Sequence, residues 1–127
     1  MITDIIKKFK FRDKAVVLNA PATIEKEFVK LGFTTTFDKK MKSANTLVFI
    51  NDNKEYLNFL ENSLKNIEPD SVLWFAYPKG TSKIKTDINR DTIRLAGEDF
   101  GITTVTAISI DDTWSALRFR PIEKVGK

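Results

Sequence analysis

Cysteine and histidine are both missing from this 127-residue chain. Their absence removes Ser-His-Asp triads, cysteine nucleophiles, thiolate zinc sites and histidine-ligated metals together. Acid–base chemistry would fall to Asp, Glu, Lys or Tyr, with pKa values moved toward neutrality by burial. The composition therefore weighs against an enzyme and against a metal centre. Glycine and proline are scarce, at 5 and 4 residues, and no Gly/Ser/Pro-rich linker divides the chain, so one domain spanning 1–127 is expected. No apolar run approaches the ~18 residues that a membrane span requires. The opening "MITDIIKKFKF" has an acid and lysines where a secretory signal needs an unbroken apolar stretch. A cytoplasmic protein is expected.

The residues that are present suit a soluble α/β core. Hydrophobic residues make up 42%, and ten Phe and two Trp supply enough apolar area to dispense with disulfides. The net charge of +4 is too mild to argue nucleic-acid binding by itself.

Periodicity gives the elements. Ile2, Ile5, Ile6 and Phe9 fall at helical spacing, predicting an N-terminal helix over about 2–10. "KAVVLNAP" reads as a strand covered on both faces. Pro21 suits a first helical turn, Ile24, Phe28 and Leu31 share a face, and Gly32 stands at the helix end. "FTTTF" is a β-branched second strand and "TLVFI" a third. A helix with a stripe of Leu57, Leu60, Leu64 and Ile67 follows, ended by Pro69. "SVLWFAY" is the fourth strand. A helix over about 87–100 should bury Ile88, Ile93, Leu95 and Ala96, and "ITTVTAISI" and "SALRFRP" form a closing hairpin across "DDTW". Val17, Phe49, Trp74 and Phe75 are the expected centre of the core.

Strands alternating with helices and then a hairpin predict a three-layer α/β domain. Its sheet should be mainly parallel and six-stranded, in the order 2-1-3-4-6-5, with the last strand antiparallel. That architecture resembles the Rossmann-like class I methyltransferases. The connection "DKKMKSAN" leaves no room for a crossover helix. In addition, "LWFAYPK" (73–79), "KTDINRDTIRLAGEDFG" (85–101), "IDDTWSALRFR" (110–120) and "AVVLNAP" near the N-terminus resemble a bacterial family known as a domain of unknown function. The resemblance covers roughly 13–120 and implies a compact α/β domain, with no activity attached. Class I methyltransferases follow their first strand with a Gly-rich turn that admits the cofactor. This chain has "LNAPAT" there, so no cofactor is expected; Asp38 is the one acid placed to hold a ribose after the second strand.

In an open α/β sheet, ligands bind at the carboxyl ends of the strands. The strand ends here offer Asn19 and Thr23, then Asn51, Asp52 and Asn53, then Tyr77 and Lys79, with Thr81, Ser82, Lys83 and Lys85 in the loop beyond. Amides, hydroxyls and ammonium groups ahead of a helix N-terminus suit a small anion. Each of these polar residues can equally cap a helix, as Asp87 could. Arg118 and Arg120 lie on the Trp114 side of the last strand and are expected to stack on Trp114 or pair with Asp111 or Asp112. "KKFKFRDK" interleaves basic and aromatic residues as single-strand binders do, although core packing explains Phe9 and Phe11 better. The sequence thus favours a non-catalytic domain that binds a small anion or an acidic partner surface. Alternatives are a small adenosylmethionine- or nucleotide-dependent transferase and a nucleic-acid accessory protein.

Overall fold

Strand residues separate onto two faces by position, as the two-residue period of a strand requires. Val17, Leu47, Phe49, Val72, Trp74, Ala76 and Ala116 enter one buried cluster, while Val48, Leu73, Phe75, Leu117 and Phe119 enter another. The computed structural model describes residues 2–125 and places this sheet between two helical layers. Its strands are β1 (Val16–Leu18), β2 (Ser43–Phe49), β3 (Ile67–Pro78), β4 (Ile102–Ser109) and β5 (Trp114–Pro121). They lie in the order β1-β2-β3-β5-β4. The β1–β2 and β2–β3 ladders are parallel, whereas β3–β5 and β4–β5 are antiparallel. The sheet is therefore five-stranded and only partly parallel, which corrects the six-stranded, mainly parallel sheet expected from sequence. The closing hairpin forms as expected, and β5 inserts between β3 and β4.

The missing strand is "FTTTF", reduced to a single parallel bridge between Thr34 and Val16. Phe33 stacks on Phe28 in one layer, at 5.3 Å between centroids, yet Phe37 packs on Phe59 in the other, at 6.4 Å. Residues four apart in a strand share a face, so a chain that sends both rings into opposite layers crosses the sheet edge instead of running along it. Threonine-rich composition favoured a strand, and the two phenylalanines overrode it.

One layer comprises α1 (Ile2–Ile5), the 3₁₀ turn Ile6–Phe9 that continues it, and α2 (Ala22–Lys30). Ile5 and Phe9 are buried; the side chain of Ile2 lies outside the described residues. Phe9 meets Trp74 edge to face at 5.4 Å, and its carbonyl accepts a 2.8 Å hydrogen bond from Trp74 Nε1. Phe11 stacks on Phe9 at 5.2 Å, so both rings of the basic stretch belong to packing.

The other layer holds α3 (Asn53–Asn62) and α4 (Arg90–Glu98). Asp52 caps α3, accepting from Glu55 N at 2.9 Å. α3 buries Tyr56, Phe59 and Leu60, so of the expected Leu57/Leu60/Leu64/Ile67 stripe Leu60 is buried in the helix, Leu57 and Leu64 are only partly buried, and Ile67 is buried from β3. The helix stops at Asn62, and both Ile67 and Pro69 lie in β3, not at its end. α4 is shorter than the predicted 87–100 because Asn89 and Thr92 form its capping box. Ile93 and Gly97 face the sheet, which leaves Leu95 exposed at 54%, contrary to expectation. Val17, Phe49, Trp74 and Phe75 are fully buried, as expected. Among the described residues no helix is long and apolar enough to cross a membrane.

Candidate functional site

The carboxyl ends of β1, β2 and β3 converge, as their parallel ladders demand, and the antiparallel β5 brings its first residues to the same edge. Two separate arrangements of polar groups result.

Over β1 and β2 the centre is Glu55. Its Oε1 accepts from Asn51 N at 2.9 Å, Asn51 Nδ2 at 3.1 Å and Asn19 Nδ2 at 3.1 Å. Asn19 also donates to the Phe49 carbonyl at 3.0 Å and holds a left-handed backbone, φ 60°. Asparagine is one of the few residues that tolerates that conformation, so it forms the tight turn that glycine would otherwise supply. Asn19 and Asn51 are thus brought together, but by a carboxylate of the chain itself. Sequence reasoning missed Glu55, although Asp52 and Glu55 at capping-box spacing carried the signal. Asp52 serves α3 as its cap, and Asn53 N donates to Asp87 Oδ1 at 2.8 Å. Asp87 therefore caps α3 instead of the helix that follows it in sequence. Thr23 is exposed on the first turn of α2. Beside Asn19 a cavity of about 280 Å³ opens between Leu18, Val48, Ile50, Asn58 and Phe59.

Over β3 and β5 the centre is Lys79. Its backbone N–H donates to the Thr113 carbonyl at 2.8 Å, and its carbonyl accepts from Ser82 N at 3.0 Å and Ser82 Oγ at 2.7 Å. Its ammonium donates to Ser109 Oγ at 2.6 Å. Asp111 Oδ1 holds the adjoining turn by accepting from Thr113 N and Trp114 N, each at 2.8 Å. Tyr77 is half-buried, and desolvation pushes its phenol above the ordinary tyrosine range, against the charge of Arg90 and a hydrogen bond with Ser115. It stays protonated at neutral pH. The far end of the lysine loop is pinned where Thr86 Oγ1 donates to the Asn51 carbonyl at 2.5 Å. Between the two pins Thr81, Lys83 and Lys85 are exposed.

The edge is accordingly split, acidic over β1 and β2 and basic over β3. It brings Lys79, Ser82 and Tyr77 together on one side and Asn19, Asn51 and Asp52 on the other. Among the described residues no cluster of three or more carboxylates is placed to hold a metal ion. Trp114 is buried against Phe49 at 5.1 Å. Arg120 reaches neither it nor Asp111 and Asp112, but pairs through two nitrogens with Asp70 at 2.9 and 3.2 Å.

Comparison with family models and with curated proteins finds no match to this chain. Among solved structures, the chain is similar to a SAM-dependent methyltransferase from Aquifex aeolicus, with a TM-score of 0.53 at 13% identity. The match covers 92% of this chain and 87% of that one. At such identity the likeness is one of fold, and the fold of this chain is methyltransferase-like.

Proposed function

We propose that the chain is a single non-catalytic binding domain on a methyltransferase-like fold, taking a small anion such as phosphate on the β3 side of its carboxyl edge. The observation that carries this reading is the fixed placement of Lys79. Two backbone hydrogen bonds and one from the Ser82 hydroxyl immobilise its main chain, and its ammonium stands beside the Ser109 hydroxyl. A pre-positioned cation with a hydroxyl partner pays little ordering entropy on binding an anion. Glu55 supports the same division of the edge: its carboxylate already satisfies the amides of Asn19 and Asn51, so those groups are not available to a second anion. The bacterial unknown-function family that "YPK" and "DDTWSALR" resemble stays part of this reading.

The test is a phosphate titration followed by backbone amide shifts. Perturbations confined to 79–82 and 109–115, abolished by Lys79→Ala, are expected. Amides unmoved at millimolar phosphate would show that the lysines only solvate the surface.

A second reading, a small adenosylmethionine-dependent transferase, is favoured by the cavity beside Asn19 at the end of β1. Titration calorimetry with adenosylmethionine and its demethylated product separates the two. Saturable heat with either would replace the first reading.

A further inference from the structure

At the opposite, amino end of β3 the sheet closes less completely. A cavity of about 260 Å³ lies there, walled by Leu64, Ile67, Leu73, Phe100, Ile102 and Phe119. Ser71 lines the same cavity. Only 9% of the residue is exposed, and its hydroxyl is buried without a hydrogen-bond partner among the described residues. An orphaned buried hydroxyl is costly unless something satisfies it, and a ligand in the cavity would do so. Arg120 and Asp70, which pair with each other, also line the cavity, as does exposed Glu68.

The surroundings of that pair are strongly cationic. Asp70 feels Arg120, Lys124 and Arg12, all of which lower its pKa. Burial and then the charges of Arg120 and Arg12 lower the pKa of Arg118, and its Nε is buried with no partner among the described residues. The four cations Arg12, Arg118, Arg120 and Lys124 thus stand against the carboxylates of Asp70 and Glu68. An added anion relieves that repulsion.

We propose that this cavity is a second binding site, for a small carboxylate with an apolar tail. The tail lies between Phe100, Leu73 and Phe119, and the carboxylate meets Arg120. Ser71 donates its hydroxyl to the same group. The volume is slightly below the usual range of about 300–1,000 Å³ for ligand pockets, which limits the tail to a medium chain or one ring. The proposal is independent of Lys79, because the two sites lie at opposite ends of β3.

Octanoate is a suitable probe, with octanol and acetate separating tail from charge. Amide shifts on titrating the full chain should saturate and cluster at 64–73, 100–102 and 119–121. Octanol should bind about tenfold more weakly, the value of roughly one charge-assisted hydrogen bond. Acetate should move nothing there. Arg120→Gln should erase the difference between octanoate and octanol. Ser71→Ala, which removes only the hydroxyl, should weaken octanoate in a protein whose circular dichroism is unchanged. Three results would each overturn the proposal: no saturable shifts at millimolar octanoate, equal binding of octanoate and octanol, or shifts clustered at Lys79.

Discussion

Phe75 is where the second buried layer meets the sheet. Tyr56, Phe59 and Phe119 approach its ring edge to face, with centroids 5.1, 5.4 and 5.3 Å away. Each such contact adds to the area term, and the three rings left on α3 and β5 cannot collapse together once the central one is gone. Phe75→Ala should therefore cost about 3–5 kcal/mol, through lost burial and the cavity left behind. Denaturant unfolding measures it, and a loss below about 1 kcal/mol, as at a typical surface site, would contradict the packing described. Tyr56 adds a polar detail, since its hydroxyl donates to the Ile93 carbonyl at 2.6 Å while burial pushes its pKa upward. The phenol thus ties α3 to α4 as a permanent donor.

Helix α4 owes its approach to the sheet to Gly97. A Cβ there would lie 2.7 Å from Phe119 Cε2 and 3.0 Å from the Tyr56 hydroxyl. Alanine is worth up to about 1 kcal/mol over glycine inside a helix, but overpacking a dense core costs about 1–3 kcal/mol. Gly97→Ala should lower the melting temperature, and a rise would mean that the ring of Phe119 can swing aside. This glycine also marks the limit of what the sequence could disclose. Sequence periodicity located α2, β3 and the closing hairpin because their apolar residues recur at the right interval. For α4 the buried face runs through Ile93 and a residue with no side chain, so a search for apolar stripes chose Leu95 instead. "FTTTF" failed for a related reason, since composition cannot say that Phe33 and Phe37 belong to opposite layers. At the carboxyl edge, Lys79 and Asn19 could be named from their positions after apolar strands. Glu55 could be suspected only as part of a capping box with Asp52; its role as acceptor for Asn19 and Asn51 appears only when β1 and β2 pair.

Charge is distributed unequally between the two ends of the sheet, and the amino end sets an acid limit on the fold. The hydrogen bond from Arg120, followed by the fields of Arg120, Lys124 and Arg12, holds Asp70 below the ordinary carboxylate range. Its folded value thus lies under the unfolded value of about 3.9. A group depressed in this way stabilises above the unfolded value, and the contribution disappears as pH falls through the folded one. Asp70→Asn should be less stable than the parent protein at neutral pH, and the difference should shrink as pH falls below the unfolded carboxylate value. Circular dichroism melts across that range test it, and a gap that persists in acid would assign the effect to lost packing. The sheet order bears on synthesis as well. β3 receives its second neighbour only from β5, the last strand in the sequence. A nascent chain leaving the ribosome carries its most apolar strand with one flank open until Trp114–Pro121 emerge, so closure comes late and all at once. Through that interval residues 67–78 offer unpaired amides and aromatic rings to whatever chaperone waits at the exit.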